Sequence, residues 1–282
     1  MTRITIDPVT RLEGHGKIEI LLDDAGDVEH TYVQIPELRG FESFCVGRPV
    51  EDMPALTNRI CGVCPEAHHM AAAKAADAVY DVTVPRTGRM LRELLYNAFY
   101  VTDHATHFYV LSGPDLIMGP DAPKAERNIL GVVKKVGAEV GKKVIDARHA
   151  GHRVIEIIGG RRIHPCTGVP GGMTKAISVE ERDEIKELAD YMVEFAGFSL
   201  DLFDSMLEQE EIEEIVKGDL YRHETYYSGL VDENDKVTFY DGNVRIVDPE
   251  GVEFGRYEPK DYRDWIDEKV LPWTYLKFPY LR

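Results

Sequence analysis

The chain is poor in cysteine, with four in 282 residues at positions 45, 61, 64 and 166, too few for the disulfide framework of a secreted protein of this size. It has no run of about 18 apolar residues, so the sequence offers no membrane span. Its start, Met1-Thr2-Arg3-Ile4, lacks the basic-then-apolar layout of a signal peptide. Together these absences predict a cytoplasmic protein. Positive charge is also scarce: 33 Lys+Arg stand against 50 Asp+Glu, a formal charge of −17. So acidic a chain repels phosphate backbones and anionic headgroups, which excludes nucleic acid as an expected partner. What is present is ordinary for a globular protein, 44% hydrophobic and 29% charged, and the length suffices for one large domain or about two.

Alternation of Ile18, Ile20 and Leu22 with Lys17, Glu19 and Leu21, followed by the turn Asp23-Asp24-Ala25-Gly26-Asp27, predicts strands and a hairpin within residues 3–35. Pro65 before the alanine-rich stretch to Val79 predicts a helix with proline at its first position. Leu91, Leu94, Leu95, Ala98, Phe99, Thr102, Ala105 and Phe108 form one apolar stripe, so a long helix is expected between Pro85 and Pro114. A second is expected over Lys124 to Ile157, where Gly131, Gly137, Gly141 and Gly151 either weaken it or permit close helix packing. The Gly- and Pro-rich stretch 159–172 predicts a structured loop without regular elements. Ser178 and Glu181 form a capping box that opens an amphipathic helix to about Lys217, with the acidic run Glu208 to Glu214 on its solvated face. Alternation from Lys236 to Val247 around Asp241-Gly242 predicts a second hairpin, and the chain closes on an apolar, aromatic segment from Pro272 to Tyr280.

Chemistry concentrates in Arg59-Ile60-Cys61-Gly62-Val63-Cys64-Pro65-Glu66-Ala67-His68-His69. Two thiols three positions apart can ligate one soft or borderline metal, and the positive end of a helix starting at Pro65 favours their thiolate forms. Metal ligation, a catalytic dithiol and an inert buried pair all fit the spacing, and a zinc module would have to recruit His68, His69 or a remote ligand. Cys45 and Cys166 have no partner at ligand spacing and read as small buried hydrophobes. Glu13, in Arg11-Leu12-Glu13-Gly14-His15, is a proton carrier if it is desolvated and an ion-paired surface residue if it is not. Glu42, in Arg39-Gly40-Phe41-Glu42, is either an oxygen donor for magnesium or an exposed residue of a short helix. His104 and His107 face roughly one way on the long helix and read as satisfied core or surface histidines.

In this order, the segments around Glu13, Glu42 and Cys61 to His68 resemble the large, catalytic subunit of a nickel-iron hydrogenase. The resemblance continues through Asp103-His104-Ala105-Thr106-His107-Phe108-Tyr109 and Gly159-Gly160-Arg161-Arg162-Ile163-His164-Pro165 to Pro170-Gly171-Gly172, and so covers essentially the whole chain. His68-His69 and Gly47-Arg48-Pro49 resemble the cytoplasmic branch that reduces heterodisulfide-reductase complexes, deazaflavin or nicotinamide cofactors. The resemblance implies a nickel-iron centre with cyanide and carbon monoxide on the iron. Cys61 would be a terminal nickel ligand, Cys64 would bridge nickel and iron, and His68 would hydrogen bond a bridging thiolate. Glu42 would bind magnesium, and Glu13 would shuttle the proton. The implied partner is an iron-sulfur small subunit, since the chain lacks cysteines for a cluster of its own, with a heterodisulfide reductase or flavin subunit beyond it.

Family members carry a second motif, Asp-Pro-Cys-x-x-Cys-x-x-His, and nothing of that form follows Cys166. The expectation is therefore the N-terminal portion of a large subunit: a fragment, one piece of a split subunit completed by a C-terminal half or complementary chain, or a degenerate relative. The expected fold is α+β, mainly α, a long-helix bundle with small β-hairpin regions near both ends. Its expected parts are a β-rich opening region (1–60), a helical core (61–220) and a β-hairpin with an aromatic C-terminal segment (221–282). The rival readings are a metal-free scaffold similar to the quinone-module subunit of respiratory complex I, an inactive truncated fragment, and a small zinc-holding module.

Overall fold

The computed structural model describes residues 2–219, 222–274 and 276–282. The chain forms two compact units, one made of Met1–Arg39 with His223–Arg282 and the other of Gly40–Arg222.

The first unit opens with strands β1 (Thr2–Ile6), β2 (Lys17–Leu22) and β3 (Val28–Gln34) in an antiparallel sheet of order β1-β2-β3. The expected hairpin is present. Its turn is held by Asp23 Oδ1, which accepts from the backbone N–H of Ala25 and of Asp27, each at 2.9 Å, an aspartate turn that offsets lost ladder bonds.

In the second unit, helices α1 (Phe41–Cys45) and α2 (Met53–Thr57) lead into α3 (Pro65–Tyr80), which starts with proline at its first turn as the sequence predicts. Helix α4 (Arg86–Thr106) buries Leu91, Leu95, Ala98, Phe99, Thr102 and Ala105 of the expected stripe. It runs on through a π-helical turn (His107–Ser112) into α5 (Gly113–Leu116). The helix expected over 124–157 is broken: α6 (Ile129–Val136) stops at Gly137, whose φ of 93° leaves the helical region, and α7 (Ala138–Gly159) begins anew. Gly151, by contrast, permits close packing, since an added Cβ would overlap Thr102 Cγ2 on α4. The stretch after α7 is not wholly irregular, because β4 (Gly168–Val169) and β5 (Gly172–Met173) pair as a minimal hairpin. Helix α8 (Val179–Leu207) opens with the predicted box: Ser178 Oγ accepts from Glu181 N–H and Glu181 Oε2 from Ser178 N–H. It ends earlier than expected, and the acidic run continues in a separate α9 (Glu210–Lys217) that buries Ile212. Ala105, Tyr109, Ala147 and Phe195 form one core cluster where α4, α7 and α8 meet. Ile117, Val132, Met206 and Ile212 form a second.

The chain then returns to the first unit with the antiparallel sheet of β6 (Tyr227–Val231), β7 (Asn243–Val247) and β8 (Glu253–Tyr257). Asp241-Gly242 does not turn a tight hairpin, as the sequence suggested. It leads directly into β7 at the end of the long β6–β7 connection, with Gly242 at φ 150°. A short helix α10 (Tyr262–Trp265) precedes the aromatic end, which folds as the pair β9 (Ile266–Val270) and β10 (Lys277–Leu281). Val33 N–H donates to Trp273 O at 3.1 Å, which ties β3 to this ending. Among the described residues no helix is long and apolar enough to cross a membrane.

Candidate metal centre

Residues 58–64 link α2 to α3, and both cysteines of the pair lie in this loop, half-buried. Cys64 occupies the N-cap of α3 without helical geometry, at φ −120° and ψ 40°. Its N–H donates to Cys61 Sγ at 3.2 Å. A sulfur facing a backbone amide at the positive end of a sixteen-residue helix has its negative charge stabilised by both. Gly62 and Val63 between them are exposed, so the loop presents its tip rather than burying it. This donor set fits a soft metal ion, which two convergent thiolates would hold from one side.

His68 is half-buried one turn further along α3, on the face of Cys64. His69 plays a different part. It is fully buried, its Nδ1 lies 2.8 Å from Pro54 O, and its Nε2 accepts from Gly168 N–H at 2.9 Å. Both ring nitrogens are engaged, so His69 is closed to a metal, and burial holds its pKa below the ordinary imidazole value. The zinc reading thereby loses one of its candidate ligands.

Glu66 was not legible as a site residue in the sequence. Its carboxyl is 2% exposed, and burial, aided by the charge of Asp103, pushes its pKa up to about 7. A cavity of about 140 Å³ is lined by Gly62, Val63, Glu66, Thr102, Asp103 and Arg148, among others. Glu66 Oε1 and Arg148 Nε are buried there without a hydrogen-bond partner among the described residues. Tyr96, whose phenol is pushed up first by burial and then by its contact with the Tyr100 hydroxyl, also feels the charge of Cys64. These groups come from α3, α4 and α7 and meet only on folding.

Glu42 is exposed in the first turn of α1. Glu13 is exposed and belongs to the first unit, while the cysteines belong to the second. His104 is satisfied through Nδ1 at 2.8 Å from Tyr100 O, and the His107 ring lies 3.4 Å from Ser112 Oγ. Cys166 corrects the expectation of a buried residue: it is exposed, at the turn between α7 and β4, while Cys45 is half-buried. Among the described residues no three His, Cys, Asp or Glu side chains converge on one point as metal ligands would.

The sequence profile of the family described as nickel-dependent hydrogenase matches residues 39–140, the segment that carries Glu42 and the cysteine pair. A profile described as HoxL-like matches residues 3–38. The chain belongs to the nickel-dependent hydrogenase family. Two hydrogenase relatives illustrate the likeness. An iron-sulfur subunit of the F420-non-reducing hydrogenase of Archaeoglobus profundus is 46% identical over 283 residues, covering 100% of this chain and 58% of that protein. A vhu subunit of the F420-non-reducing hydrogenase of Methanocaldococcus jannaschii is 43% identical, covering 100% of this chain and 66% of that protein. The fold agrees with that of a solved NAD+-reducing [NiFe]-hydrogenase in the H2-reduced state, at TM-score 0.91 and 36% identity, over 100% of this chain and 62% of that one. The Ni-Fe-Se hydrogenase of D. vulgaris Hildenborough aligns at TM-score 0.78 and 25% identity, over 99% of this chain and 63% of that one. The chain thus spans about three fifths of the length of these hydrogenase proteins, and its fold is the α+β, mainly helical fold of their large subunits.

Proposed function

We propose that this hydrogenase chain supplies two of the thiolates that hold a nickel-iron centre, and that the complete protein catalyses the reversible oxidation of H2 to protons and electrons. The observation that carries the reading is the Cys61 and Cys64 pair at the N-terminus of α3, with an amide directed at one sulfur, in a chain of this family. When bound, the centre, with cyanide and carbon monoxide on its iron, supplies the heterolytic splitting of H2.

In this reading Cys61 would be a nickel ligand, Cys64 would be a ligand shared by nickel and iron, and the end of α3 would stabilise both thiolates. His68, one turn along α3 from Cys64, would hydrogen bond that thiolate and so temper its basicity. Glu13 takes the proton away, a task that a carboxylate performs once the assembled protein withdraws it from water. Glu42 offers an oxygen to magnesium. Two thiolates leave half of the ligand set to be provided by a further stretch of large subunit or a complementary chain. The electrons pass to an iron-sulfur small subunit. The names of the two relatives support an acceptor other than F420, in keeping with a heterodisulfide reductase or flavin subunit further on. The setting is the cytoplasm, and the assembly is a hetero-oligomer.

H2-dependent reduction of a viologen dye by the protein, purified anaerobically with its co-purifying subunits, tests this reading. The wild type should reduce dye and Cys64→Ser should not. A wild-type preparation that is inert with nickel and iron both bound would contradict it.

A further inference from the structure

The loop that carries the cysteines is held at its base by polar bonds from residues that ligate nothing. His69 on α3 faces Pro54 O on α2 at 2.8 Å, which joins the two arms on either side of residues 58–64. Its other nitrogen accepts from Gly168 N–H at 2.9 Å, which fixes the tautomer: Nε2 is bare and Nδ1 carries the proton it donates to Pro54. Asn58, at the start of the loop and fully buried, donates Nδ2–H to Pro165 O at 2.7 Å, so the stretch that leads into β4 grips the loop a second time. Gly168 is a glycine for reasons of space: its φ is not positive, and an added Cβ would lie 2.8 Å from His69 Nε2 and 3.0 Å from Met70 Cε.

We propose that His69 is a positioning residue for the Cys61 and Cys64 thiols, and that Asn58 and Gly168 complete the brace. Closing the loop at its base removes chain freedom that the two sulfurs would otherwise have to lose on binding one ion. The inference rests on the reading of Cys61 and Cys64 as working thiolates, and it assigns their spacing to a ring that touches neither sulfur.

The test uses the full chain with its co-purifying subunits, produced without nickel, as wild type, His69→Leu, His69→Gln and Gly168→Ala. Cadmium titration followed by thiolate charge-transfer absorption measures how well the pair chelates. Mass-spectrometric alkylation rates of Cys61 and Cys64, against Cys166 as an internal reference, measure how well the loop is held. His69→Leu and Gly168→Ala should weaken cadmium binding about tenfold or more, the range for groups that orient metal ligands, and should speed alkylation of both cysteines. His69→Gln, whose amide keeps a donor and an acceptor, should remain near wild type. Folded His69→Leu and Gly168→Ala proteins with unchanged cadmium affinity and alkylation rates would overturn the proposal, as would a folded His69→Gln that fails as badly as His69→Leu. If His69→Leu does not fold, Gly168→Ala decides, because it leaves every hydrogen-bonding group in place. Absence of nickel from a separate wild-type preparation grown with nickel would overturn the proposed function alone, since cadmium binding and alkylation are read on protein made without it.

Discussion

Arg92 and Asp77 form a buried two-point ion pair between α4 and α3, with Nη1 donating to Oδ2 at 2.6 Å and Nη2 to Oδ1 at 3.2 Å. The pair also holds the small β-hairpin. Arg92 Nη2 donates to Val169 O at 2.8 Å, and Asp77 Oδ1 accepts from Gly171 N–H at 2.7 Å. Arg92 is fully buried, so its charge depends on Asp77 for compensation. Asp77→Ala should therefore cost about 3–5 kcal/mol in urea unfolding, the usual loss when one partner of a buried pair is removed. The double variant Asp77→Leu/Arg92→Met should lose clearly less than the two single losses added together. Additive losses would show that the two residues act separately.

The α4 and α7 backbones come close at Gly151, where an added Cβ would overlap Thr102 Cγ2 and meet Ala98 O at 3.3 Å. Gly151→Ala should destabilise the chain by about 1–3 kcal/mol through overpacking, although alanine is the better helix former. Thr102→Ser in the same chain removes the clashing methyl and should restore most of the loss in thermal unfolding. A Gly151→Ala variant as stable as wild type would mean that the helices lie further apart.

Glu66 makes the stability of the metal-free protein depend on pH. Its pKa is raised from 4.5 to about 7 by burial, so between these values the folded chain holds a proton that the unfolded chain has released. Stability should fall as pH rises through this window. The full penalty, about 3 kcal/mol at 1.36 kcal/mol per pH unit, is reached above the folded value. Glu66→Gln has no proton to lose and should flatten this part of the profile, gaining most over wild type near pH 8. Equal pH profiles for the two proteins would show that Glu66 is not buried as described.

Features that depend on neighbours in sequence were legible from it. Pro65 opens α3, the Ser178 and Glu181 box opens α8, and the α4 stripe is buried, because a cap or a helical face is written within a turn or two. The cysteine pair was legible for the same reason. Helix breaks were not: Gly137 ends a helix while Gly151 packs inside one, and only the partner helix distinguishes them. The groups around the pair were hidden more deeply. His69 meets Gly168, Asn58 meets Pro165 and Glu66 shares a cavity with Arg148, and each partner lies about 80 or more positions away along the chain. Burial of a Glu and an Asn against such distant partners leaves no periodicity for a sequence to display.

Metal content decides whether Cys61 and Cys64 hold a nickel-iron centre. Nickel, iron and zinc should be measured by elemental analysis on the anaerobically purified protein with its co-purifying subunits, alongside the Cys61→Ser/Cys64→Ser variant. Nickel is expected in the wild type at about one per chain, with iron present, and should be lost from the variant while the fold remains. A wild type without nickel, or a folded variant that keeps its nickel undiminished, would contradict it.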